Sequence, residues 1–146
     1  MSGVRGMSHD EFMEIASTLS KKLMERGDFI MRVSLDPVPE VNRHNIDKVL
    51  EENKVVFLFF TAEWCGPCIS FLQTFREVAI KAQKPGVYFG RVDVDRSYTI
   101  ADRYSINHIP SILIIVDKRV VDSIVGSMSR DSLEAKVRGY IDKYLG

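Results

Sequence analysis

The chain has 146 residues, 45% of them hydrophobic, which is typical of one globular domain. Twenty basic residues balance twenty acidic ones, so charge gives no reason to expect nucleic acid or an anionic membrane as a partner. No apolar stretch is long enough to span a bilayer, and the N-terminal acids Asp10, Glu11 and Glu14 are not typical of a transit peptide. We therefore expect a cytoplasmic protein.

The first patterned segment, from Ser8 to Arg26, predicts an amphipathic helix. Its apolar residues recur at helical spacing and form one stripe, namely Phe12, Ile15, Ala16, Leu19 and Leu23. Ser8 opens a capping-box pattern, and the proline-rich stretch 36–39 ends any helix. We predict residues 1–36 as an N-terminal helical extension. Its stripe packs against the rest of the chain or, alternatively, docks a partner or a second copy.

The remainder, residues 37–146, alternates strand patterns with helix patterns. The predicted strands are Val38–Val41, Val55–Phe60, Val87–Val94, Ile112–Val116 and Val120–Val125. The predicted helices follow the cap Asn42, cover about 65–83, cover 97–104, and follow the cap Ser129. This alternation predicts an α/β domain with a largely parallel central sheet and helices on both faces. The last two strands are joined too tightly for a crossover, so they form an antiparallel hairpin and make the sheet mixed.

Both cysteines, Cys65 and Cys68, form a C-x-x-C where a buried strand ends and a helix begins. A disulfide that closes so short a loop constrains the unfolded chain little, so the pair indicates redox chemistry or half of a metal site. Zinc needs further ligands, for which His108 is the nearby candidate, and no second C-x-x-C exists. The helix start favours a thiolate at Cys65, which then attacks a client disulfide, while the more buried Cys68 resolves the mixed disulfide.

The stretch TAEWCGPC, residues 61–68, resembles the active site of the thioredoxin family. The stretch YSINHIPS, residues 104–111, resembles the family segment that carries a cis-proline before an apolar strand. Val125-Gly126 resembles the family's glycine near the end of its last strand. The resemblance implies a thioredoxin fold for residues 37–146, with a central mixed sheet flanked by helices and residues 1–36 as an extra N-terminal helix.

The resemblance also implies roles for individual residues. Pro110 is expected to be cis and to face the cysteines, and the Ile109 backbone to hold an extended client segment by strand-like hydrogen bonds. The flat apolar surface for clients is expected to consist of Trp64, Gly66, Pro67, Ile109 and Gly126. The implied function is reduction of protein disulfides by a monomer without cofactor or metal. A flavin- and nicotinamide-dependent thioredoxin reductase would restore the dithiol.

Three positions depart from the family pattern, and one of them, Gln73, stands at a helix position where many members have a kinking proline. Phe59 stands where the family usually buries an acidic residue that assists proton transfer at the second cysteine, which puts the speed of the resolving step in question. Ile69 stands where a lysine or arginine is common. An oxidase or isomerase of the same fold is disfavoured because no histidine lies between the cysteines. The Phe59 replacement favours another alternative, a thioredoxin-like interaction or chaperone module.

Overall fold

The computed structural model describes residues 8–17 and 36–146, and the chain divides into two compact units, Met1–Leu35 and Asp36–Gly146. In the first unit, residues 9–17 form helix α1. Its N-terminus is capped as predicted, because the Glu11 N–H donates to Ser8 Oγ at 3.2 Å. The predicted continuation of this helix to Arg26 lies outside the described residues.

The second unit contains a four-stranded sheet in the order β2-β1-β3-β4. Strand β1 pairs in parallel with β2 and antiparallel with β3, which pairs antiparallel with β4. The mixed sheet and the final hairpin are thus confirmed. In chain order, the elements are α2 (Ile46–Glu52), β1 (Val55–Thr61), α3 (Gly66–Ala82), β2 (Val87–Asp93), α4 (Tyr98–Arg103), β3 (Ser111–Val116), β4 (Arg119–Val125) and α5 (Arg130–Leu145).

The prediction of a largely parallel sheet is wrong, because only the β1–β2 pair is parallel. Strand β3 runs antiparallel to β1, so β2 ends and β3 begins at the same edge of the sheet. The connection through α4 therefore crosses β1 at that edge and does not return along the length of the sheet. A strand–helix–strand pattern in the sequence does not distinguish these two paths.

The predicted strand Val38–Val41 is also wrong, because this segment forms only an isolated bridge from Glu40 to Arg91 of β2. Two backbone hydrogen bonds hold it there, from the Arg91 N–H to the Pro39 carbonyl at 3.0 Å and from the Val41 N–H to the Arg91 carbonyl at 2.7 Å. Proline has no N–H to extend the ladder, so the pairing stops at this short contact.

The sheet separates two apolar layers. One layer lies beneath α3 and α5 and includes Phe57, Phe59 and Phe89, and the other lies beneath α2 and α4 and includes Phe60. Successive residues of a strand point to opposite faces, so β1 contributes to both layers and is buried along its whole length. All four phenylalanines are fully buried and belong to the core.

The hairpin between β3 and β4 turns at Asp117 and Lys118, whose φ angles are 50° and 69°. Two successive positive φ angles are typical of the type I′ turn, whose twist matches that of the strands on either side. The tight connection in the sequence predicted the hairpin but left its turn type open. Among the described residues, no helix has the length and hydrophobicity needed to cross a membrane.

Candidate active site

Cys65 and Cys68 form a disulfide at the point where β1 gives way to α3, with their Cα atoms 5.2 Å apart. Cys65 is the N-cap residue of α3, and Cys68 lies in its first turn. Cys68 is 0% exposed, whereas Cys65 is 6% exposed. An incoming sulfur therefore reaches Cys65 and not Cys68.

The first turn of α3 supplies a donor to the Cys65 sulfur. The Cys68 N–H donates to Cys65 Sγ at 3.2 Å, so one of the unpaired N–H groups of the helix start is directed at this atom. Pro67 lies in the same turn, where its missing N–H leaves no donor unsatisfied. Gly66 and Pro67 are both exposed beside the disulfide. This arrangement favours negative charge on Cys65 when the disulfide is reduced.

The loop before β3 lies against the disulfide. The Ile109–Pro110 peptide bond is cis, as the resemblance implies. Ile109 packs against the cluster formed by Ala62 and the two cysteines. The Pro110 carbonyl accepts a hydrogen bond from the Gly126 N–H at 2.8 Å, which brings the end of β4 to the same place.

The backbone N–H and carbonyl of Ile109 are available for hydrogen bonding. Within residues 8–17 and 36–146, neither its N–H nor its carbonyl has a hydrogen-bond partner. An extended peptide lying beside it can supply both partners, as an added strand does at the edge of a sheet. Gly126, at the end of β4, has a φ of +83° and no atom near the position of a Cβ, so it leaves the surface beside Pro110 open.

Trp64 is the most exposed large apolar residue of the described chain, with 71% of its surface accessible. Its Nε1–H donates to Asp95 Oδ2 at 2.8 Å, which fixes the orientation of the indole ring. We did not predict this contact from the sequence. The topology explains the contact: the carboxyl ends of the parallel strands β1 and β2 lie at the same edge of the sheet, and Trp64 and Asp95 follow these two strands.

Glu63, which precedes Trp64, is held by a second contact from the same loop. Arg96 Nη2 donates to Glu63 Oε1, and Arg96 also lies 3.5 Å from Glu40 and 3.9 Å from Asp93. The hydrogen bond and charge of Glu63, followed by the charges of Glu40 and Asp93, raise the pKa of Arg96. Arg96 was missing from the residues that we singled out in the sequence.

Phe59 fills the position beneath α3 where the resemblance leads one to expect a carboxylate. Its ring centroid lies 5.6 Å from that of Phe71 and 5.2 Å from that of Phe75, and it is fully buried. The flank of the site is apolar as well, because Ile69 follows Cys68 with 53% of its surface exposed. Phe59 and Ile69 therefore make the site apolar beneath the cysteines and on one flank.

No group of three or more His, Cys, Asp or Glu side chains able to hold a metal occurs among the described residues. The chemistry present is that of a dithiol–disulfide pair with one accessible sulfur. A thiolate at Cys65 can attack a disulfide, and Cys68 is close enough to close the ring again.

Comparison with known proteins agrees with this chemistry. The family model described as Thioredoxin matches residues 37–139. Thioredoxin H4 of Arabidopsis thaliana is 34% identical over 92 residues, which is 63% of this chain and 76% of the relative. A thioredoxin H-type of Oryza sativa subsp. indica is 40% identical over 84 residues, 58% of this chain and 67% of the relative. The solved structure of reduced Schistosoma mansoni thioredoxin is similar to this chain with a TM-score of 0.60 and 31% identity, covering 73% of this chain and 97% of that one.

Proposed function

Because the chain belongs to the thioredoxin family and is a thiol–disulfide oxidoreductase, we propose that it works as a cytoplasmic reductase of client protein disulfides. The observation that carries the proposal is the unequal burial of the two cysteine residues at the start of α3. An accessible Cys65 beside a donated N–H suits the attacking thiolate, and a buried Cys68 suits the resolving one.

The cycle begins with the reduced dithiol. The Cys65 thiolate attacks one sulfur of a client disulfide, a Cys65–client disulfide forms, and the other client sulfur leaves as a thiolate. The Cys68 thiolate then attacks Cys65 Sγ, the Cys65–Cys68 bond forms, and the second client sulfur leaves. Two electrons pass from the dithiol to the client. A flavin- and nicotinamide-dependent thioredoxin reductase returns them, and in this way the protein contributes to redox homeostasis of the cell.

Clients are held on the surface around Cys65. The free backbone of Ile109 pairs with an extended client segment, and Pro110 and Gly126 form the floor beside it. Trp64, Gly66 and Pro67, which flank Cys65 in the chain, supply further exposed surface. Residues 37–146 form the catalytic domain in this proposal, residues 1–36 form an N-terminal extension, and the protein acts as a monomer.

Cysteine variants test the assignment of roles. With insulin as client and a thioredoxin reductase with its nicotinamide cofactor as the electron source, we expect Cys65→Ser to abolish turnover. Cys68→Ser is expected to accumulate a mixed disulfide that a non-reducing gel shows as a covalent complex, because no thiol resolves it. Turnover by Cys65→Ser, or a mixed disulfide trapped on the Cys68 that this variant retains, would contradict these roles.

A further inference from the structure

A cleft of about 360 Å³ opens beside the disulfide, between the start of α3 and the ends of β1 and β2. Its apolar part consists of Ala62, Ile69 and Leu72. Ala62 packs directly against both cysteines, and Ile69 follows Cys68 in the chain. The cleft is therefore separated from the sulfur atoms by a single layer of side chains.

The opposite wall of the cleft carries an excess of negative charge. Three carboxylates, those of Glu40, Glu63 and Asp93, surround the one guanidinium of Arg96. The second cation of the lining, Arg91, lies 2.9 Å from Asp36 Oδ2, which is not part of the cleft. Arg91 thus pairs with a carboxylate outside the cleft, which it shares with Arg76, and the three carboxylates around Arg96 keep that wall acidic.

The cleft also contains a polar group without a partner. Thr61 is 9% exposed and lines the cleft, and among the residues that the structure describes none hydrogen-bonds to its hydroxyl. Thr61 is the register partner of Asp93 at the ends of parallel strands, so the two side chains lie on the same face of the sheet. The hydroxyl is not among the fully enclosed polar atoms that lack a partner, so it reaches the open space of the cleft and can donate or accept a hydrogen bond there. The Thr61 hydroxyl is therefore available to a ligand.

We propose that this cleft is a subsite for a lysine or arginine side chain next to the cysteine of a client disulfide. The inference rests on the proposed function, because a client bound at Cys65 brings its neighbouring side chains to the cleft. Methylene groups suit the apolar part formed by Ile69 and Leu72. The cationic end suits the carboxylates of Glu40 and Glu63, and the Thr61 hydroxyl accepts one of its hydrogen bonds. A client glutamate in the same place would meet like charge.

Three matched peptides test the subsite. Each is a disulfide-linked peptide of the same sequence with lysine, norleucine or glutamate next to the cysteine, and kcat/KM for its reduction by the full chain is measured. We expect the lysine peptide to exceed the glutamate peptide by roughly five- to tenfold at low salt, with norleucine between them. The preference should shrink at about 0.5 M salt, because the carboxylates at the rim are partly exposed and therefore screened.

Variants place the effect in the cleft. Glu40→Gln and Glu63→Gln should each bring the lysine-to-glutamate ratio closer to one, and Thr61→Val should lower the lysine rate relative to norleucine. Glu77→Gln is the matched control, since Glu77 lies on α3 outside the cleft and pairs with Arg130 at 3.1 Å. It should keep the wild-type ratio.

Two results overturn the subsite. One is a lysine-to-glutamate ratio of one or less, and the other is a preference for lysine that both Glu40→Gln and Glu63→Gln leave intact. Reduction of all three peptides at equal rates contradicts the subsite alone. A chain that reduces none of them contradicts the proposed function and the subsite with it.

Discussion

Phe59 is the residue at which the sequence and the family pattern part most clearly. The resemblance to the family identifies position 59 as that of the buried acidic residue, and the sequence has phenylalanine there. The loss of the carboxylate was therefore predictable. The consequence for packing was not, because it depends on Phe71 and Phe75, which come from the following helix. The structure shows that Phe59 is fully buried and that its described ring neighbours are aromatic.

We expect Phe59→Ala to lower the free energy of unfolding by about 3–5 kcal/mol, since it leaves a cavity among rings that cannot close over it. Phe59→Asp should cost at least as much, because it adds an unpaired carboxylate to an apolar layer. Urea denaturation measures both. The control is Ile80→Ala on α3, where the side chain is 56% exposed and the cost should stay within about 0.5 kcal/mol. Equal costs for Phe59→Ala and Ile80→Ala would contradict the packing described here.

Other residues of the site differ in how far sequence alone could place them. The cysteine pair, Pro110 and Gly126 belong to local motifs, so their positions followed from short stretches of chain. The contacts of Trp64 with Asp95 and of Glu63 with Arg96 join residues more than thirty positions apart. They depend on which strand ends meet and on side-chain directions, neither of which periodicity specifies.

Helices and strands were predictable where burial imposes a strong period. All four strands of the sheet are found. Three of them carry apolar, buried stretches of a strand's length, and the mostly exposed β4 was predicted from its alternating pattern. The Ser129 cap is confirmed by its Oγ, which accepts the Ser132 N–H at 3.2 Å. The strand predicted at Val38–Val41 was wrong because its valines are buried without a continuous ladder of backbone hydrogen bonds to a neighbouring strand. The direction of β3 was predicted wrongly because it depends on the path of the connection through α4, which the hydrophobic pattern of the sequence does not specify.

Two glycines test the account of the elements with one kind of substitution. Gly126→Ala should destabilise the domain by about 1–2 kcal/mol, because Gly126 has a φ of +83° after β4. Gly139→Ala should stabilise it by up to about 1 kcal/mol, because Gly139 lies within α5. No atom lies within 4 Å of the added Cβ at either position, so backbone conformation alone sets the sign.

Thermal or urea unfolding of both variants measures these changes. A stabilising Gly126→Ala would mean that the end of β4 does not hold this backbone conformation. A destabilising Gly139→Ala would contradict the helical assignment of that position.

At the scale of the whole domain, a few charged groups determine how stability depends on pH. Burial tends to raise the pKa of Asp36, but hydrogen bonds from Arg91 and the Val38 N–H and the charges of Arg91 and Arg76 outweigh it and lower the pKa. Burial and the hydrogen bond to Asp122 raise the pKa of Tyr140 to about 12. Asp36 therefore affects the stability of the domain at acid pH, and Tyr140 affects it at alkaline pH.

The signs follow from the direction of each shift. The contribution of Asp36 is present above its unfolded pKa, near 3.8, and is lost as pH falls through the lower folded value. The contribution of Tyr140 is present below pH 10.0 and is lost as pH rises towards about 12. Maximal stability is therefore expected on a plateau between these limits.

We predict that Asp36→Asn costs about 1 kcal/mol at pH 7, a modest value because the carboxylate is a third exposed and partly screened. The cost should shrink as pH falls from 3.8 through the lower folded pKa, below which the wild-type carboxyl is neutral in both the folded and the unfolded state. Urea unfolding at a series of pH values measures the difference. A cost that stays constant down to pH 2 would show that the two arginines do not act on Asp36 through its charge.

The central claim is that the Cys65–Cys68 pair donates electrons to client disulfides. Its most direct test is the equilibrium reduction potential of this couple against a defined thiol buffer. We expect a value near the roughly −270 mV known for thioredoxin, or lower, since no histidine lies between the cysteines to stabilise the reduced form. A potential above about −180 mV would contradict it and identify an oxidase or isomerase instead.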